Sequence, residues 1–172
     1  MAMKITTPFT EECIAKLNVG DTVLISGTIY CGRDAVLPKV VALFESAPDD
    51  EICRGLYGSV IFHTAVSPAG VGPTSSNKLE IESSIAPLSA SGVKLHLGKG
   101  AIKPETVAAL DRYNAVYAVM PPVTALLESK TTERELVAFP ELGMEALYRL
   151  RVEDYPAIIA AAHGRSIYDG NI

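Results

Sequence analysis

Two lysines and a cluster of hydroxyls mark the part of this 172-residue chain best suited to chemistry. Gly70-Val71-Gly72-Pro73-Thr74-Ser75-Ser76-Asn77-Lys78 sets hydroxyls beside a cation, and Lys99 stands between Gly98 and Gly100. Glycine lets the backbone approach a ligand closely and leaves successive N–H groups available to an anion. Asn77 or Ser76 is placed to cap a following helix, whose positive N-terminal end also favours an anion. A third cation, Arg33, follows Cys31-Gly32 and precedes Asp34 at the junction of a strand-like and a helix-like stretch. Cations and hydroxyls at element boundaries predict a pocket for a small carboxylate or phosphate.

Each of these residues also has a plainer reading. Gly, Pro, Ser and Asn form ordinary surface turns, Lys99 reads equally as a solvated loop lysine, and Arg33-Asp34 as an exposed ion pair of little energetic weight. A nucleotide P-loop is excluded. That pattern needs Gly-Lys-Ser/Thr with a glycine five positions before the second, but Gly100 follows Lys99, position 93 is valine, and Asn77 precedes Lys78. No Gly-x-Ser-x-Gly nucleophile elbow is present. His63 lies in an apolar run and reads as a satisfied core histidine, while His96 and His163 carry no signal of their own. Cys31 reads as a small packed residue rather than a nucleophile.

The elements that must position these residues follow from periodicity. Met3–Pro8 is extended, Thr10 is placed to cap a helix over Glu11–Leu17, and Thr22–Tyr30 is a β-branched strand. A helical pattern runs from Ala35 to Phe44 with Pro38 in its first turn, where proline is tolerated. Ala47–Glu51 reads as a polar loop, Ser59–Ala65 as a buried strand, and Val93–Leu97 as the strand that delivers Lys99. Lys103-Pro104-Glu105 opens a helix to about Arg112, Ala115–Met120 is an apolar strand, and Val123–Glu128 gives one or two helical turns. Thr131–Phe139 reads as a strand, Leu142–Val152 as either helix or strand, and Tyr155–Ala162 as a buried strand. His163–Ser166 reads as a turn before a final strand at Ile167–Tyr168. Strands alternating with helices predict an α/β domain with a mixed sheet.

Bulk properties narrow the function classes. Hydrophobic residues make up 48% and charged ones 20%, with 15 basic against 20 acidic residues and a net charge of −5, so nucleic acid is not an expected partner. Nothing approaches the ~20 apolar residues of a membrane span. Three cysteines without a CxxC pair fit a reducing cytoplasm and supply no metal spacing. The length suits one domain over residues 1–172.

At these motifs the sequence resembles the beta subunit, or the equivalent C-terminal domain, of iron–sulfur class I fumarate hydratases and L(+)-tartrate dehydratases. The resemblance is carried by Thr6-Thr7-Pro8, Val19-Gly20-Asp21, Ser26-Gly27-Thr28, Arg33-Asp34, Ile61-Phe62-His63, Gly72-Pro73-Thr74-Ser75, Gly98-Lys99-Gly100 and Glu141-Leu142-Gly143-Met144-Glu145-Ala146. It implies a three-layer swivelling β/β/α fold and a partner alpha subunit whose cysteines hold a 4Fe-4S cluster. The open iron of that cluster would act as a Lewis acid on the hydroxyl of a 2-hydroxy dicarboxylate such as malate or tartrate, with water lost reversibly. Carried onto this chain, the resemblance implies Arg33, Lys78 and Lys99 as cations for the substrate carboxylates and Thr74 near the proton transfer. It also implies a hetero-oligomer, with self-association open to the isolated chain. Two positions depart from the pattern: Leu37 stands where the family commonly has histidine, and Lys78 where it commonly has arginine, which would supply a bidentate fork. A non-catalytic dicarboxylate-binding or regulatory module on the same fold, or a scaffold whose cations serve a subunit interface, remain alternative roles.

Overall fold

The computed structural model describes residues 2–33, 35–63, 66–67, 70–71, 78–98, 101–119 and 130–167. Its framework is a set of parallel strands: β1 (Met3–Thr6), β2 (Thr22–Cys31), β3 (Val60–Phe62), β6 (Leu95–Gly98) and β7 (Val116–Val119), hydrogen-bonded in that order. Between β3 and β6 a short antiparallel pair, β4 (Val66–Ser67) and β5 (Gly70–Val71), stands apart from the main sheet. β8 (Thr131–Ala138) pairs antiparallel with the long β9 (Leu147–Ala162), and β10 (Arg165–Ser166) folds back on the end of β9. β9 also runs antiparallel to both β2 and β7. The ladder therefore returns on itself, and the sheet is mixed as expected.

The described residues also form the α-helices α1 (Glu11–Ala15), α2 (Leu37–Ser46), α3 (Glu51–Leu56), α4 (Lys78–Ala90) and α5 (Pro104–Arg112). Side chains alternate across the parallel strands, as a period of two requires. Ile29, Cys31, Val60, Phe62, Leu95, Leu97, Val116 and Ala118 fall on one face, packed with Leu150, Val152, Tyr155 and Ile159 of β9. Tyr30 and Ile61 fall on the other, against Val40, Ile52, Leu56 and Leu88 of α2, α3 and α4, and Tyr117 meets Val107 and Leu110 of α5. Helices, parallel strands and the antiparallel β9 thus form successive layers with apolar side chains between them.

Local signals account for most element ends. Thr10 caps α1, its Oγ1 accepting from Cys13 N at 3.0 Å. Pro38 and Pro104 sit in the first turns of α2 and α5, where the missing N–H costs nothing. Lys94 is buried but satisfied. Its Nζ lies 2.7 Å from Glu11 Oε2 and donates to Tyr113 O at 3.0 Å, which ties α1 to the sheet.

The structure departs from the sequence reading in several places. Glu51 opens α3 rather than ending a loop, because Asp50 caps that helix by accepting from Ile52 N at 2.9 Å. The stretch from Leu142 divides into a 3-10 turn over Pro140–Glu145 and the start of β9, which continues without a break through the strand expected at Tyr155–Ala162. The break expected between Val152 and Tyr155 is a bulge instead: Asp154 sits at φ 53, within the register shift opposite Ile25 and Gly27, and interrupts the alternation without ending the strand. The final strand begins earlier than expected, at Arg165, after a turn in which His163 and Gly164 both take positive φ. The helical turns expected at Val123–Glu128 lie outside the described residues.

One glycine inside a helix is held by contact rather than by backbone conformation. A Cβ on Gly55 would stand 2.1 Å from the Tyr30 hydroxyl and 3.2 Å from Cζ, and Tyr30 is 2% exposed. Gly55→Ala should therefore destabilise the chain by about 1–3 kcal/mol despite the better helix propensity of alanine. In the Tyr30→Phe background the cost of Gly55→Ala should shrink by more than half, because the clashing oxygen is gone. Urea denaturation of the four variants of this cycle measures the coupling, and additive effects would contradict the contact.

Candidate functional site

Hydrogen bonding between parallel strands brings several chain exits to one edge. Cys31 pairs with Phe62, Phe62 with Leu97, and Leu97 with Ala118. Two further backbone bonds continue the alignment beyond the strands, Gly32 N to Phe62 O at 3.1 Å and His63 N to Leu97 O at 2.9 Å. Arg33 thus follows the end of β2, His63 the end of β3, and Gly98 closes β6. The carboxyl ends of parallel strands are where open α/β sheets bind ligands.

Of the residues proposed from sequence to bind or act, Arg33 is described in full. Its Nε donates to Glu145 Oε1 at 2.8 Å and its Nη2 to Oε2 at 3.3 Å, a fork-on-carboxylate arrangement in which both side chains are about a quarter exposed. Two motifs separated by more than a hundred residues, Arg33-Asp34 and Glu141–Ala146, therefore meet through one ion pair. Bidentate pairing of this kind fixes the plane of the guanidinium as well as its position. Lys78 is the first residue of α4, at the positive end of a helix. Thr74 and Lys99 lie outside the described residues, as does Asp34. Leu37 is fully buried in the apolar cluster with Val36, Val40 and Leu147, so position 37 belongs to the core.

A second constellation was not read from the sequence. His96, on the helix face of β6 between Leu95 and Leu97, accepts or donates at both ring nitrogens: Nδ1 lies 3.0 Å from His63 Nε2, and Nε2 lies 3.0 Å from Ser89 Oγ of α4. All three side chains are buried. His63 departs from the satisfied core histidine expected of it, since its Nδ1 is buried without a hydrogen-bond partner among the described residues. Burial drives the His63 pKa down to about 3, and burial with the neighbouring His63 holds His96 well below the ordinary histidine range. Both rings are neutral. A signal existed in Leu95-His96-Leu97, where strand alternation turns a polar side chain towards the layer of helices, but its partner on a neighbouring strand depends on register.

The cysteines behave as packing residues. Cys31 is completely buried and burial raises its thiol well above the usual range, while burial also raises those of Cys13 and Cys53. An iron–sulfur cluster requires thiolates gathered at one point. These three thiols sit on α1, β2 and α3, and the described residues contain no group of three or more His, Cys, Asp or Glu side chains able to hold a metal. Among the described residues these three cysteines do not form the ligand set of a cluster. Among the described residues no helix is long and apolar enough to cross a membrane.

The comparisons with known proteins agree with the motifs. The family described as Fumarase C-terminus matches residues 1–170. The L(+)-tartrate dehydratase subunit beta of Escherichia coli K12 is 30% identical over 181 residues, covering 97% of this chain and 87% of that protein. A Methanocaldococcus jannaschii protein named for the same subunit is 30% identical, covering 93% of this chain and 88% of its own length. A Geobacillus stearothermophilus protein named for class I fumarate hydratase is 32% identical over 94% of this chain but only 32% of its own length.

The buried imidazoles carry a pH signature. Their folded-state affinity for protons is depressed below the unfolded value near 6.5, so the unfolded state takes up protons first as pH falls. Folding stability should decline from about pH 6.5 downward, by up to about 1.4 kcal/mol per pH unit for each ring. Carboxylates contribute little between pH 6.5 and 5, so urea melts across that window isolate the effect. A His63→Gln, His96→Gln double variant should lose the slope, and retention of the full slope would show that other groups are responsible.

Proposed function

The chain belongs to the Fumarase C-terminus family, and on that premise we propose that it is the beta subunit of a two-subunit iron–sulfur hydro-lyase acting on a C4 2-hydroxy dicarboxylate. The substrate is malate, in equilibrium with fumarate, or tartrate. The 4Fe-4S cluster belongs to the alpha subunit, in keeping with cysteines that are dispersed here and raised in pKa by burial. The observation that carries the reading is the Arg33–Glu145 fork at the carboxyl edge of the parallel strands.

In this reading the chain supplies electrostatics and orientation. Arg33, held in plane by Glu145, meets one carboxylate of the substrate without first having to be ordered. Lys78 and Lys99 neutralise the remaining charge, and the helix end at Lys78 adds its own positive potential. Removing a proton next to a carboxylate builds up negative charge, and fixed cations stabilise that charge more than they stabilise the ground state. Thr74 acts at the proton transfer.

Co-expression with a cluster-bearing alpha subunit, followed by assay over C4 hydroxy diacids, tests this directly. The isolated chain should be colourless and inactive, and the pair should interconvert at least one diacid with its unsaturated or keto product. Arg33→Lys in the pair should raise KM by about tenfold or more, because lysine keeps the charge but gives up the planar fork. Activity of the isolated chain without iron, or an unchanged KM in Arg33→Lys, would contradict the assignment.

A further inference from the structure

We propose that Ser89, His96 and His63 form a hydrogen-bonded relay that positions the hydro-lyase site, with His63 Nδ1 as its working end. The inference rests on the function proposed above and deepens it. Three elements converge on the relay. Ser89 lies near the end of α4, the helix that begins at Lys78. His96 lies on β6, the strand that runs into Lys99, and His63 heads the segment that leads from β3 to Thr74. One chain of neutral groups therefore joins α4, β6 and the end of β3. The rings stand 5.2 Å apart at 35°, and each contact along the chain is 3.0 Å.

A neutral imidazole has one N–H and one acceptor nitrogen. The relay then has two ordered forms. In one, the Ser89 hydroxyl donates to His96 Nε2, His96 Nδ1–H donates to His63 Nε2, and His63 Nδ1 carries a proton to donate. In the other every bond reverses, His96 Nε2–H donates to Ser89 Oγ, and His63 Nδ1 offers a lone pair. Either way the chain delivers one hydrogen-bonding function at one buried atom. Packing alone does not account for this, because apolar residues at positions 63 and 96 would spare the dehydration of four ring nitrogens. A buried polar atom without a partner is rare in a native fold and calls for a specific role. His63 Nδ1 is such an atom, 3% exposed as a residue and without a partner among the described groups. The role assigned to it is to hold the bound acid in one orientation. His63 is thus a positioning residue.

Amide side chains separate its two nitrogens. Asparagine places a polar atom near the Nδ1 position and drops the link to His96, whereas glutamine reaches the Nε2 position and leaves Nδ1 empty. In the active pair, His63→Gln should lower kcat by about 10- to 100-fold, the scale of a small misplacement at a reacting centre, with KM little changed. His63→Asn should retain more kcat while melting earlier. Ser89→Ala, which removes only the hydroxyl, should lower kcat and displace the pH profile. Long-range 1H–15N spectra of the chain alone should show both rings neutral at pH 5.5, each in a single tautomer. A wild-type pair inactive on every C4 hydroxy diacid overturns the proposed function and this inference with it. An active pair in which His63→Gln matches wild type, or rings that titrate near pH 6.5 with averaged tautomers, overturns the relay alone.

Discussion

The parallel pairing of Cys31, Phe62, Leu97 and Ala118 sets where Arg33, His63 and Gly98 stand. Parallel strands held in a common register end together, and the segments that leave them emerge side by side. The register is held by burial. Val60, Phe62, Leu95 and Leu97 face β9 while Ile61 and Tyr30 face the helices, and a slip of one residue would exchange the two sets. β9 reinforces this by bonding to β2 along most of its length and to β7 near its end, so the parallel strands cannot shear without breaking an antiparallel ladder as well. A rigid edge of this kind can present cations in a fixed arrangement to a small dianion.

Two kinds of polar group are held against that framework, and they are treated oppositely by their surroundings. Arg33 and Glu145 are charged, remain partly in contact with solvent, and gain orientation from a two-point contact. His63 and His96 are withdrawn from solvent and kept neutral by desolvation, which leaves hydrogen-bond direction as their only means of action. Lys94 stands between the two kinds, a buried cation satisfied by Glu11 and the carbonyl of Tyr113 where it enters the core. In the proposed reading the ion pair supplies charge and the neutral relay supplies alignment, the two demands of proton removal beside a carboxylate.

Much of the fold was legible in the sequence. α1, β2, α2, α5, β7 and β8 follow from the Thr10 cap, from β-branched and apolar runs and from prolines in first turns. α3 was hidden because its apolar residues, Ile52, Cys53 and Leu56, are too few to establish a period, although Asp50 was a usable cap signal. β9 was split because one residue of positive φ and a proline at position 156 break the alternation of a strand 16 residues long. Arg33 was expected at a strand-to-helix junction, and it stands just after β2. The partners of these residues were not legible. Glu145 reaches Arg33 across 112 positions and His63 reaches His96 across 33, and no local pattern encodes a contact that only sheet register creates.

The claim on which the account stands is that the carboxyl edge of the parallel strands faces the bound acid in the assembled enzyme. Amide hydrogen exchange of the alpha–beta pair, with and without a saturating C4 dicarboxylate, reads this edge directly, since ligand contact suppresses local opening. The account predicts ligand-dependent protection concentrated at Gly32-Arg33, His63 and Gly98. Protection confined to α5 or β8, with no change at those strand ends, would contradict it.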